Sequence, residues 1–196
     1  FNPDEIKERI GLAGKKVVMF LGTPRPHKGI DDLLIALKKI NIPELRLVII
    51  GAENQQEFLK GVDPSVIDRV VVLPKISFQN LPEFLSAADI VAIPQRQTSD
   101  SVGQMPAKLF DAMSMAKPII ATRVSDIPEV LDDCGYLVDP SEPSQLADSI
   151  QYILSHPGEA KAKGCAARER CKQRYDMHTL ECGLRELVED VSAKKG

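Results

Sequence analysis

Residues 16–30 read Lys16-Val17-Val18-Met19-Phe20-Leu21-Gly22-Thr23-Pro24-Arg25-Pro26-His27-Lys28-Gly29-Ile30. Val17 through Leu21 are apolar on successive positions rather than alternate ones, as in a strand covered on both faces. Beyond the loop, Ile30, Leu33, Leu34 and Leu37 fall at i, i+3, i+4 and i+7, the apolar stripe of an amphipathic helix. A strand that turns through a short Gly- and Pro-shaped loop into such a helix is the opening unit of a parallel α/β sheet.

The unit recurs along the chain. Short apolar segments at 45–50, 70–73, 89–93, 118–121 and 136–138 alternate with helical stretches. Leu81, Phe84, Leu85 and Ala88 share a helix face, with Ser77 as a candidate N-cap and Pro82 in the first turn. Leu146, Ile150, Ile153 and Leu154 form another, which His156-Pro157-Gly158 ends. Six such strands predict a doubly wound, Rossmann-like parallel sheet in the order 3-2-1-4-5-6, with helices on both faces. Residues 157–196 carry no strand. Lys161 to Arg174 reads as a basic, alanine-rich helix, and Leu180, Leu184, Leu187 and Val191 line a second. These helices either cap the sheet or cross to another domain.

A chain of 196 residues fits one domain, and 43% hydrophobic with 27% charged residues suffices for a buried core. The net charge of −3 argues against a broad nucleic-acid surface. The apolar runs fall far short of the ~20 residues that a membrane span needs, so no transmembrane segment is expected. Phe1-Asn2-Pro3-Asp4-Glu5 lacks the basic and apolar regions of a signal peptide. Cys134, Cys165, Cys171 and Cys182 are scattered without a C-x-x-C pair, which reads as reduced thiols in the cytoplasm rather than as a metal site.

Open α/β sheets bind ligands where the strand order reverses, between the loops after the first and fourth strands. In the first loop Gly22 admits a ligand close to the backbone, Arg25 offers a planar fork of donors and Lys28 a compact charge. Lys28 begins at a helix N-terminus, where a cation is unfavourable unless an anion binds beside it. The loop is neither a Walker loop nor the G-x-G-x-x-G fingerprint. The second loop, polar and flexible up to Gly103, turns helical at Pro106. Proline there leaves the amides of Ala107, Lys108 and Leu109 free, with the Lys108 charge in the same turn. Asp111 can accept from ribose hydroxyls or simply favour the helix dipole. Backbone groups of Lys75 and Ile76, after the third strand, are placed to read a base. The combined reading is a nucleotide-diphosphate site. No D-x-D occurs on these loops, and Asp31-Asp32 and Asp132-Asp133 read as helix-surface or turn acids, so no metal is implied.

The order strand-G-x(5)-K-G-helix, then Leu81-Pro82-Glu83-Phe84-Leu85-Ser86-Ala87-Ala88-Asp89-Ile90, then Pro106-Ala107-Lys108-Leu109-Phe110-Asp111 running to Lys117-Pro118-Ile119-Ile120-Ala121-Thr122, resembles a known pattern. With Ile127-Pro128-Glu129-Val130 and Gly135-Tyr136-Leu137-Val138-Asp139-Pro140, it is similar over nearly the whole chain to the C-terminal donor-binding domain of retaining GT-B glycosyltransferases of the group 1 family. The resemblance implies donor-diphosphate contacts from Gly22, Thr23, Arg25, Lys28, Lys108 and Leu109. It implies base and ribose contacts from Lys75, Ile76 and Asp111, and a sugar-facing helix start at Gly103, Met105, Pro106 and Ala107. Thr23 stands where the family usually has arginine. Asp111 replaces the second glutamate of the family's acidic pair, and Gly103 replaces the first. Ala116 stands where the family carries glycine before Lys-Pro, and Ser125-Asp126 where it carries Gly-Gly ahead of Ile-Pro-Glu.

By this resemblance the expected function is transfer of a hexose, with retention, from a nucleotide donor such as UDP-glucose to an acceptor in polysaccharide or glycoconjugate synthesis. No catalytic residue and no cofactor beyond the donor is assigned. An N-terminal acceptor-binding domain of the same protein is the implied partner, and Phe1-Asn2-Pro3 matches the point where the donor domain starts. The domain alone is expected to bind donor and transfer little. The alternatives are a GT-B epimerase or hydrolase of sugar nucleotides, and a non-catalytic nucleotide-binding module.

Overall fold

Six strands, β1 (Lys16–Leu21), β2 (Leu45–Ile50), β3 (Val70–Leu73), β4 (Ile90–Ile93), β5 (Ile119–Thr122) and β6 (Tyr136–Val138), pair in parallel in the order β3-β2-β1-β4-β5-β6, as expected. The structure, a computed structural model, describes residues 1–177, 179–181, 184, 185 and 188. Along β1, Val17, Met19 and Leu21 enter one apolar core while Val18 and Phe20 enter the other. This two-sided burial is why the strand has no polar alternation. The helices α2 (Ile30–Lys39), α3 (Gln55–Lys60) and α7 (Pro143–Ser155) supply one layer. On the other face lie α4 (Leu81–Ser86), α5 (Ala107–Ser114), α6 (Ile127–Leu131) and α8 (Pro157–Arg174). A first helix, α1 (Pro3–Arg9), precedes the sheet, and Asn2 caps it by accepting from the Asp4 amide.

Several boundaries shift from expectation for local reasons. β4 starts at Ile90 rather than Asp89, whose carboxylate accepts from the Val17 amide and from Lys7 Nζ, both at 2.7 Å. β5 starts at Ile119, because Pro118 has no N–H to offer the ladder. Ser77 precedes a 3-10 turn, Phe78–Asn80, and makes no side-chain cap; Asn80 is the residue before α4. Pro106 is the N-cap residue of α5 rather than its first helical residue. Pro157 both ends the preceding helix and opens α8, which therefore begins four residues before Lys161. α8 caps the sheet through Ala160, Gly164, Ala167 and Cys171, a small-residue seam that permits close approach. A Cβ at Gly164 would lie 2.3 Å from the Ala116 carbonyl oxygen. Of the second expected C-terminal face, Leu180 and Leu184 are exposed, and Leu187 and Val191 lie outside the described residues.

The crevice follows from the pairing. β1 runs with β2 along its full length but with β4 only at Val18↔Ile90 and Met19↔Val91, so the two central strands part beyond Met19. The loops that leave them are tied together. Gly29, at φ 67°, lets the chain turn into α2 so close to β4 that a Cβ there would sit 1.7 Å from the Pro94 carbonyl oxygen. The Arg96 amide donates to the His27 carbonyl at 2.8 Å. Its guanidinium donates twice to Asp32, at 2.7 Å each. Asp32, read from sequence as a surface acid, is only 4% exposed. The second loop is likewise not the free polar segment expected. Ser101 is fully buried, receives the Thr98 amide at 2.8 Å and donates to the Arg96 carbonyl at 2.5 Å. Ser125 Oγ donates to the Ser101 carbonyl and accepts from the Gly103 amide.

Two outcomes follow for stability. Arg96→Ala leaves a buried carboxylate unpaired, whereas Asp32→Ala leaves a guanidinium whose side chain is 28% exposed and can reach water. Chemical denaturation is expected to show a loss of about 2–4 kcal/mol for the first, reduced from the fully buried case because the vacated, partly exposed guanidinium position lets water reach the carboxylate, and a smaller loss for the second. The double variant should lose less than the sum. Ala116 holds φ 53° without being glycine. Ala116→Gly should raise stability by about 0.5–1 kcal/mol, the left-handed penalty of alanine exceeding the added chain entropy of glycine.

Candidate functional site

Where β1 and β4 part, a cleft with two chambers opens at the C-terminal ends of the strands. One chamber, of about 240 Å3, has Phe20, Ile93 and Pro94 as its floor, with Lys28, Pro106, Ala107 and Lys108 along its wall. The second, of about 210 Å3, is bounded by Gly22, Thr23, Lys75, Ile76 and Phe78. Leu21 and Lys108 border both, so the chambers form one trough with the cations at its waist.

Lys28 reaches the cleft because the 3-10 turn Pro26–Lys28 ends in left-handed Gly29. Its ammonium folds back over Gly22, where a Cβ would lie 3.3 Å from Nζ. Burial pushes the Lys28 pKa down, and repulsion from Arg25 and then Lys108 lowers it further. The three cations therefore crowd one place. Exposed Arg25 acts on Lys28 from just outside the chamber walls. The N-terminus of α5 closes the other side. No described residue pairs with the amides of Ala107 and Lys108, whereas the expected third free amide, Leu109, already donates to the Pro106 carbonyl at 2.9 Å. Depressed ammonium and unpaired helix amides facing one trough are suited to a polyanion.

Other expected contacts are placed differently. Leu109 is fully buried and Met105 packs against the same core, because that face of the segment turns toward the sheet. Asp111 lines neither chamber; its Oδ2 accepts from Lys108 Nζ at 3.4 Å, one turn behind the helix start. Gly103 is exposed, with its amide held by Ser125. The structure also brings in residues that the sequence did not single out. His27, Gln95 and Gln104 line the first chamber, and Phe78, 78% exposed, lines the second. For Gln95 the one signal in the sequence is its place two residues beyond β4. Among the described residues no group of histidine, cysteine, aspartate or glutamate is placed to hold a metal ion, and no helix is long and apolar enough to cross a membrane.

A family model described as "Glycosyl transferases group 1" matches residues 15–156. A GDP-mannose-dependent alpha-(1-6)-phosphatidylinositol monomannoside mannosyltransferase of Mycolicibacterium smegmatis is 28% identical over 201 residues, covering 96% of this chain and 53% of that protein. A D-inositol 3-phosphate glycosyltransferase of Xylanimonas cellulosilytica is 31% identical, covering 97% of this chain and 46% of that protein. The chain thus spans about half the length of these curated relatives. Among solved structures, Anabaena HepE in complex with UDP superposes with a TM-score of 0.85 at 21% identity, over 96% of this chain and 52% of that one. The C-terminal domain of the glycosyl transferase group 1 family protein LpcC from Francisella tularensis superposes with a TM-score of 0.74 at 22% identity, over 90% of this chain and 94% of that one. With a family match over most of its length and a relative 31% identical along nearly all of it, the chain belongs to the glycosyl transferases group 1 family of GT-B enzymes.

Proposed function

We propose that this chain is the donor-binding domain of a retaining glycosyltransferase and holds a nucleotide sugar along the trough between the loops after β1 and β4. The carrying observation is that Lys28, Lys108 and the unpaired amides of Ala107 and Lys108 line one chamber, with Lys108 bordering the second as well and the Lys28 ammonium against Gly22 of the second. The diphosphate belongs at that waist, the base beside Lys75 and Ile76, and the sugar over Pro106 and Ala107. Gly22 and Thr23 border the base side, and Arg25 adds charge from outside. Asp111 lies one turn from the ribose position and orients Lys108. UDP is the nucleotide of choice; HepE, which shares the fold, was solved with UDP, while the Mycolicibacterium relative is named for GDP-mannose. A hexose such as glucose is the proposed group transferred, into a polysaccharide or glycoconjugate, in the cytoplasm. Neither a metal nor a further cofactor enters the reading.

In this reading the domain contributes placement and charge. As the bond from the anomeric carbon to the diphosphate breaks, negative charge grows on the leaving oxygen. Lys28, Lys108 and the helix amides stabilise it without reorganising. An acceptor-binding domain of the same protein would bring the nucleophile to the open side of the first chamber. The chain alone should therefore bind donor and transfer little.

Calorimetric titration of the chain with UDP, GDP and ADP tests the reading. Lys28→Ala should weaken the best binder about 10- to 100-fold, the worth of a charge-assisted hydrogen bond. Indifference to all three nucleotides would sink it. A bound diphosphate should also raise the depressed Lys28 pKa. Binding is then expected to take up a proton on the alkaline side, and affinity to fall as pH rises through the lowered Lys28 value. Titrations in buffers of different ionisation enthalpy should show that uptake, and Lys28→Arg, which does not titrate, should abolish it.

A further inference from the structure

Gln95 is 6% exposed and lines the first chamber, yet its side chain is only partly engaged. Its Nε2 donates one long bond, 3.4 Å, to the Ser101 carbonyl, which fixes the amide's orientation because that carbonyl can only accept. Its Oε1 has no hydrogen-bond partner, although no buried side-chain oxygen or nitrogen among the described residues lacks one. Oε1 is therefore accessible, on a side chain that lines the chamber. The backbone of the same residue is clamped, since Thr122 Oγ1 donates to the Gln95 carbonyl at 2.5 Å. A buried, positioned amide with a free acceptor lines a chamber whose other floor residues, Phe20, Ile93 and Pro94, are apolar.

We infer that Gln95 is a specificity-determining residue that hydrogen-bonds the hydroxyls of the donor sugar; this rests on the donor-binding reading above. The chemistry of the chamber selects the ligand part. Lys108 borders both chambers and the Lys28 ammonium lies against Gly22 of the second, so the charged diphosphate stays at that border and a neutral group occupies the interior of the first beyond it. A pyranose has apolar ring faces for Phe20, Ile93 and Pro94, and hydroxyls that can donate to the free carboxamide oxygen. Among the sugar-facing positions that the family resemblance implies, Gly103 has no side chain and its amide is held by Ser125, and Pro106 has no N–H. Gln95 supplies a polar side chain from the floor.

The test compares nucleotide with nucleotide sugar, using UDP against UDP-glucose and GDP against GDP-mannose in calorimetric titrations of the 196-residue chain. Gln95→Met preserves volume and removes both polar atoms, and Gln95→Asn withdraws the amide; thermal melts establish that each variant is folded. The expected result is an affinity for the bare nucleotide within about twofold of the parent, and a loss of about tenfold for its sugar conjugate, the worth of one to two neutral hydrogen bonds. Equal change for nucleotide and conjugate in every pair that binds overturns the sugar contact while leaving the donor site standing. If neither nucleotide nor conjugate binds the parent chain, the donor reading itself fails, and this inference with it.

Discussion

Lys28 and Lys108 can share one cleft only because two backbones touch. The Pro94 carbonyl occupies the space that a side chain at residue 29 would need, and the Arg96 amide closes the contact by donating to His27. The doubly hydrogen-bonded Arg96–Asp32 pair then fastens the second loop to the first turn of α2. Without this junction the loops after β1 and β4 would leave the sheet independently. The short β1–β4 ladder supplies the opening, and the junction fixes its width.

That rigidity has an electrostatic cost built into it. Burial lowers the Lys28 pKa most, and Arg25 and then Lys108 lower it further. Cations already placed beside one another do not need to be gathered when an anion arrives, so ordering costs are met in advance by folding. The opposite end of the sheet behaves differently. There Lys117 is bonded to the carbonyls of Ser86 and Ala88, and Lys7 to Asp89 and the Lys15 carbonyl. One end of the sheet uses its lysines to close the structure, and the other turns Lys28 and Lys108 toward the cleft.

The sheet order was legible because Val/Ile/Leu runs without alternation signal strands covered on both faces, and the runs alternate with helix-periodic segments. Lys28, Lys108 and the Ala107 helix start were legible because residue type and loop position coincide. Positive φ at Ala116 and Ser125 agrees with the glycines that the family resemblance places there, whereas Asp126, the other such position, has φ −87° and needs none. Asp32, Ser101 and Gln95 were hidden for a common reason. A polar side chain in a polar stretch reads as solvated until its partner, tens of residues away or across a tight loop, is known. Arg96 lies 64 residues from Asp32, and no local pattern pairs them. The inward packing of Leu109 and Met105 was not legible because proximity to a helix start does not say which face a residue presents.

One helix connects the cleft to the far side of the molecule. α5 offers its first amides to the trough, while its remaining turns are gripped from behind by α8, with Phe110 and Tyr175 rings 5.1 Å apart and the Cys171 thiol against the Phe110 carbonyl. The seam between them is made of residues too small to yield, so the pair moves as one rod or not at all. An occupant pulling on the front of α5 would tighten the grip at its back. Amide exchange along α8, far from any ligand, would then report on occupancy of the trough.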